Sequence, residues 1–165
     1  MGAVIKSGSR PIQGVLEAGV TPPFPGLWPL DATPDPHWMQ YGIANPNDNE
    51  GLTALIATGC RIVLFIAGRG NVVGNAVAPT IKATGNSATY AAMPDDMDFD
   101  AGGTLSGTCS QDEAADALAA MVAATATGTL TKSELLGHAE YHIPFKHQDK
   151  LPLPCGCGRE EAIHG

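Results

Sequence analysis

The run Ile62-Val63-Leu64-Phe65-Ile66-Ala67 is apolar at every position and leads into Gly68-Arg69-Gly70-Asn71-Val72-Val73-Gly74. A strand with one wet face alternates apolar and polar residues. A run without alternation reads as a strand covered on both faces, as in a parallel sheet packed between helices. Just upstream, Asn45-Pro46-Asn47-Asp48-Asn49-Glu50 is turn chemistry. There Asn47, Asp48 or Asn49 can accept the open N–H groups of a helix's first turn. Leu52, Leu55 and Ile56 then recur at helical spacing, and Gly59 stands where a left-handed cap is expected. Helix, turn and buried strand in this order place the chain in the α/β class.

Working outward, residues 77–82 read as a second strand, interrupted early by Pro79. Asn86-Ser87 opens a short helix through about Met93, and Met97-Asp98-Phe99-Asp100-Ala101-Gly102 reads as a short strand running into a glycine-rich loop. Ser110-Gln111-Asp112-Glu113 matches the capping box, a hydroxyl at the cap and a carboxylate three residues on. It opens the clearest helix, residues 112–127, with Leu118, Met121, Val122 and Thr125 on one face and Gly128 at its end. Toward the N-terminus, residues 27–30 are a short apolar piece whose pairing Pro29 weakens, and residues 33–36 read as turn. The chain beyond about residue 148 is loop-like.

At 165 residues there is one domain's worth of chain. A hydrophobic share of 44% excludes a fully disordered chain. A formal net charge of −8, from 17 acids against 9 bases, argues against a nucleic-acid module built on a basic face. The longest apolar run falls far short of the roughly 20 residues a membrane helix needs. Lys6 and Arg10 have no apolar core behind them, so no signal peptide is expected and the location expected is cytoplasmic. Cys60, Cys109, Cys155 and Cys157 are too few and too unevenly spaced for a disulfide scaffold.

Gly68-Arg69-Gly70 follows a strand end, where ligands sit in open α/β sheets. The spacing G-x-G-x-x-x-G is one residue longer than the dinucleotide fingerprint, and Pro79 argues against a long helix after it. Two readings stand: a tight turn that needs glycine backbones, or a guanidinium between glycines that grips a carboxylate with two parallel bonds. Lys82 is either a solvated residue at a strand end, or a carboxylate-binding group or base if burial depresses its pKa. Asp95, Asp96, Asp98 and Asp100 form an acidic cluster. Asp98 and Asp100 share a face if the segment is a strand, and two carboxylates can bind a hard divalent cation. The plainer reading is a hydrated turn with capping acids. His138, His142 and His147 lie near Glu140, but H-E-x-x-H is absent and Pro144 gives the segment an extended look. Cys155-Gly156-Cys157 has one intervening residue rather than the two or more of zinc knuckles. Neither a G-x-S-x-G nucleophile elbow nor a Walker loop is present.

Several of these segments, taken together, resemble the galactarate dehydratase/altronate dehydratase family. They are Gly59-Cys60-Arg61 with the strand after it, Ala67-Gly68-Arg69-Gly70, and Val77-Ala78-Pro79-Thr80-Ile81-Lys82. Lys6-Ser7-Gly8-Ser9-Arg10-Pro11-Ile12, Pro25-Gly26-Leu27 and the segment from Met97 to Gly102 resemble it too, as does Lys132-Ser133-Glu134 followed by Gly137-His138-Ala139-Glu140-Tyr141. The family commonly has Thr where this chain has Ala67. The resemblance covers residues 6–150.

The resemblance implies a sugar-acid hydro-lyase, a divalent metal (Fe2+, with Mn2+ or Mg2+ as alternatives), and a Rossmann-like parallel sheet flanked by helices. Residues 1–150 would be the C-terminal part of the catalytic domain, and residues 151–165 a flexible tail. Full-length members carry an N-terminal β-clip domain, a middle dimerisation region and an upstream Cys- and Gly-rich part of the C-terminal domain. Short of that upstream part, the sheet here is expected to be incomplete, with an unpaired edge or an exposed apolar face. The partners implied are a small anionic sugar acid and either a second copy or a chain supplying the missing segments; nucleic acid and membrane are not among them. The resemblance assigns Arg69, Lys82 and His138 to catalysis, Gly68, Arg69, Gly70 and Asn71 to substrate binding, and Asp98 and Asp100 to the metal. Two alternatives are the large subunit of sulfolactate sulfo-lyase, in which sulfite leaves, and a non-catalytic binding or assembly module.

Overall fold

Helix α1 (Asp48–Ala57) forms where the turn chemistry places it. The Asn47 side chain accepts the Glu50 N–H at 2.9 Å, and the acids Asp48 and Glu50 lie at the positive end of the helix dipole. Leu52 and Ala54 are buried, and the helix is followed by Gly59 at φ 106°. This computed structural model describes residues 5–32 and 47–142.

Three strands follow: β1 (Val63–Ile66), β2 (Thr80–Thr84) and β3 (Phe99–Asp100). They form one parallel sheet in the order β1-β2-β3. Val63 stands opposite Thr80, Ile66 opposite Ala83, and Ala83 opposite Phe99. The remaining helices are α2 (Ser87–Ala92), α3 (Gly103–Ser106), α4 (Gln111–Ala126) and α5 (Lys132–Leu135). The chain is thus an α/β protein with a small parallel sheet and flanking helices.

The strand buried on both faces is β2, not β1. All five β2 residues are buried. Alternation puts Ile81 and Ala83 on one face and Thr80, Lys82 and Thr84 on the other. The sequence expectation of a strand over residues 77–82 shifts C-terminally. Pro79 has no N–H to give, although its carbonyl still accepts the Val63 N–H at 3.0 Å. Lys82 therefore lies within the central strand rather than at a solvated end.

β1 pairs only with β2 among the described residues, so complete burial of residues 62–67 does not hold. The N–H groups of Val63 and Ala67 bond to the carbonyls of Pro79, just ahead of β2, and Ala83 within it, which turns the N–H and C=O of Leu64 and Ile66 outward. Leu64 is 43% exposed and Ile66 67%. An open groove of about 330 Å³ runs beside this edge, lined by Leu30, Leu52, Leu55, Val63, Leu64 and Phe65 among others.

The capping box of α4 is formed as read. Ser110 Oγ accepts the Glu113 N–H, and the Glu113 carboxylate accepts the Ser110 N–H at 2.8 Å. The helix begins one residue earlier than expected, and Thr125 is its buried contact. Residues 27–30 make only isolated bridges, Ile12 with Leu27 and Leu16 with Leu30. The expected turn at residues 33–36, His147, Cys155, Cys157 and the tail at 151–165 lie outside the described residues.

Candidate functional site

The loop after β1 is held in place by its neighbours. The Gly68 carbonyl accepts the Thr89 hydroxyl at 3.0 Å. Gly70 sits at φ 74°, in the left-handed region that favours glycine, with the Met93 thioether packed against it. Between them Arg69 is exposed to solvent. Asn71 donates to Asp48 Oδ2 and accepts the Val73 N–H, both at 2.6 Å. At the end of β3, the exposed Asp100 accepts the Ser87 hydroxyl at 3.1 Å and the Gly102 N–H at 2.8 Å through Oδ1. Helix α2 bridges the two ends, Thr89 to Gly68 and Ser87 to Asp100. The C-terminal ends of the strands thus carry a rim with the Arg69 guanidinium and the carboxylates of Asp48 and Asp100, at the place where open parallel sheets bind ligands.

A second group of charges lies on the polar face of β2. The Lys82 side chain is fully buried. Its Nζ is 4.0 Å from Asp96 Oδ1 and has no hydrogen-bond partner among the described residues. Burial pushes its pKa below the usual lysine value; Asp96, Asp98 and Glu140 act in the opposite direction and do not cancel it. Taking an ammonium out of water costs several kcal/mol when nothing bonds to it. Charges kept at that cost concentrate at functional sites. Asp98 lies alongside, accepting the Lys82 N–H through Oδ2 at 2.7 Å and the Lys132 N–H through Oδ1 at 2.8 Å. The Lys132 ammonium is itself held by the carbonyls of Pro94 and Met97.

His138 joins this group through Glu140. Its Nδ1 lies 3.3 Å from Glu140 Oε1, off the hydrogen-bond direction. Glu140 Oε2 accepts the Gly74 N–H at 3.2 Å, and the Glu140 carbonyl accepts the Asn75 amide at 3.1 Å. Burial works to raise the Glu140 carboxyl; backbone donors, Gly74 among them, and His138 outweigh it and hold the pKa below the usual carboxylate value. His138 also lines a cleft of about 260 Å³ with Ala78 and Pro79, ahead of the first residue of β2.

The structure therefore brings Lys82 together with Asp96 and Asp98, the latter also holding Lys132, and pairs His138 with Glu140, whose charge acts on Lys82 through space. Arg69, with Gly68, Gly70 and Asn71, lies beyond the end of β1, and Asp100 is the last residue of β3. Arg69 and His138 are not brought together. Glu140 stood in the sequence only as a neighbour of histidines, and its carboxylate bond to Gly74 spans 66 residues. Ser87 was visible as a helix start but not as the donor that orients Asp100.

The family resemblance implies a divalent metal, for which Asp98 and Asp100 are the expected ligands. Both Asp98 oxygens are taken by backbone N–H groups, and Asp100 Oδ1 by two donors. Among the described residues no group of three or more His, Cys, Asp or Glu side chains is placed to hold a metal ion. A hard divalent cation takes six or more oxygen ligands, and the two aspartates as placed here do not fit such a centre.

Comparison with known proteins places this arrangement in a family. Residues 1–148 match the family described as D-galactarate/altronate dehydratase, C-terminal. The chain is 34% identical over 142 residues to the (2R)-sulfolactate sulfo-lyase subunit beta of Chromohalobacter salexigens, covering 86% of this chain and 33% of that protein. It is 37% identical over 102 residues to the altronate dehydratase of Bacillus subtilis, covering 62% of this chain and 18% of that protein. It is 36% identical over 107 residues to the altronate dehydratase of Escherichia coli, covering 65% and 19%. The chain spans a third or less of the length of these curated relatives. No helix among the described residues is long and apolar enough to cross a membrane. On the match over residues 1–148, the chain belongs to the D-galactarate/altronate dehydratase C-terminal family.

Proposed function

We propose that this chain is the substrate-anchoring portion of a lyase that removes water from an aldonic or aldaric sugar acid, such as galactarate or altronate, to give a keto-deoxy acid. The observation that carries the reading is the exposed Arg69, set between Gly68 and Gly70 at the end of a parallel strand in a chain of this family. A guanidinium there offers paired donors to a carboxylate, with Asn71 beside it. At the other end of the rim, Asp100 is oriented by Ser87 and Gly102 to accept from sugar hydroxyls. The elimination takes the proton next to the substrate carboxylate, and negative charge builds on that carboxylate as it leaves. A cation already paired with the carboxylate stabilises that charge.

Proton handling falls to the group around Lys82 and His138. His138 is partly open to solvent and has Glu140 beside it. Lys82 is closed to solvent and acts in support rather than by contact. The divalent ion implied by the family would take ligands from outside the described residues, and no step here runs through it. The remainder of the reaction machinery belongs to polypeptide beyond this chain or to a partner copy.

The sulfo-lyase relative matches most of this chain, which favours a second reading in which sulfite leaves from sulfolactate. Both substrates carry the carboxylate that Arg69 would hold. The test incubates the purified chain with galactarate, altronate and sulfolactate, each with and without Fe2+ and a reductant, and follows keto-acid formation and sulfite release. Keto-deoxy acid from a sugar acid supports the dehydratase. Sulfite release supports the second reading. Binding of these acids without turnover supports an anchoring portion that needs the rest of the enzyme.

A further inference from the structure

The loop from residue 68 to residue 79 carries Arg69 and has no regular structure of its own, so its shape depends on a few fastenings. One end is tied to α2 through Gly68 and Thr89, and Asn71 is tied to Asp48 of α1. The far end is held by Glu140, which accepts the Gly74 N–H with its carboxylate and the Asn75 side-chain amide with its carbonyl. Gly74 is packed so closely that a Cβ there would lie 2.7 Å from the Cβ and carbonyl oxygen of His138 and 2.9 Å from Ser133 Cβ. Asn75 in turn accepts the Val77 N–H at 2.9 Å, which leads the chain into β2. At 3.2 Å the Gly74 bond has the length of an ordinary backbone hydrogen bond.

We propose that Glu140 is a positioning residue of the Arg69 loop, its carboxylate fixing through Gly74 the presentation of Arg69 to the substrate carboxylate. The proposal rests on the carboxylate-binding reading of Arg69 given above. Glu140 makes no contact with substrate in it. The residue acts through the loop, and what it supplies at Gly74 is an acceptor oxygen, which a glutamine also has.

The test uses the full chain, isotopically labelled, as wild type, Glu140→Ala, Glu140→Gln and Arg69→Ala, with galactarate as the probe. Exchange of the Gly74 amide and the galactarate dissociation constant are read by NMR. Exchange of the α4 amides serves as the control for the intact fold. Glu140→Ala is expected to speed Gly74 exchange and weaken galactarate by about fivefold to tenfold each, the loss of one hydrogen bond, with α4 unchanged. Glu140→Gln is expected to keep both close to wild type. Gly74 exchange unchanged in Glu140→Ala would overturn the proposal, as would faster exchange with unaltered galactarate binding. If galactarate binds wild type and Arg69→Ala alike, the carboxylate reading of Arg69 fails. Gly74 exchange then decides alone whether Glu140 holds the loop.

Discussion

The Asp98 carboxylate accepts the backbone N–H of Lys82 at 2.7 Å while its other oxygen accepts the N–H of Lys132 at 2.8 Å, so one side chain ties the central strand to the start of α5. Asparagine has one acceptor oxygen, and its amide would face the second N–H. Asp98→Asn is therefore expected to destabilise the chain by about 1–3 kcal/mol, the cost of a lost bond with a donor left unmet. Denaturant unfolding checks the value. The loss should be the same with and without a chelator, because both oxygens are committed to the backbone.

Lys82 carries a different prediction, with a defined dependence on pH. Its pKa is lower in the folded chain than the ordinary 10.5. Below the folded value both states hold the proton, and the full penalty of burying an ammonium stands. As pH rises toward 10.5 the folded state sheds its proton first, and the penalty is relieved. Lys82→Met keeps the volume and removes the charge, so it should stabilise the chain by roughly 1–2 kcal/mol at the low end of that range, the gain shrinking as pH rises. Thermal melts across the range measure it; a gain that grew with pH would contradict the burial of a charged amine.

Gly74→Ala should destabilise through crowding. The added Cβ meets His138 and Ser133 at under 3 Å, with backbone among the contacts. Overpacking of that kind costs about 1–3 kcal/mol. A melt compared with Gly51→Ala, where the Cβ meets nothing within 4 Å, separates crowding from a generic glycine effect.

Ile66→Lys should leave stability within about 0.5 kcal/mol, because surface changes away from packed features do little. Ile66 is 67% exposed on a strand edge, and a lysine there also guards the open N–H and C=O groups against pairing with other chains. Unfolding and light scattering together check both halves: equal stability and less self-association.

How far the sequence could be read depended on how local each signal was. The caps at Asn47, Asn86 and Ser110 were legible because a cap is made by residues within three positions of one another. The glycines at 59 and 128 were legible for the same reason. The strand limits were less so: Pro79 marked a disturbance, but only the pairing with β1 shows that β2 starts after it and runs on to Thr84. Burial was the least legible property. Residues 62–67 look like an interior strand, yet burial depends on what lies beside them, and the interior strand here is the mixed Thr80-Ile81-Lys82-Ala83-Thr84. Within the site, Arg69 announced itself through its glycines. The roles of Asp98 and Glu140 rest on bonds across 16, 34 and 66 residues, which no local pattern encodes.

The central claim is that the guanidinium of Arg69 holds the carboxylate of an anionic substrate, and calorimetric titration of galactarate into wild type and Arg69→Ala tests it most directly. Loss of two charge-assisted bonds should weaken binding by about tenfold or more, with Arg69→Lys recovering only part because an ammonium cannot offer the paired geometry. Equal affinity in wild type and Arg69→Ala would contradict the account.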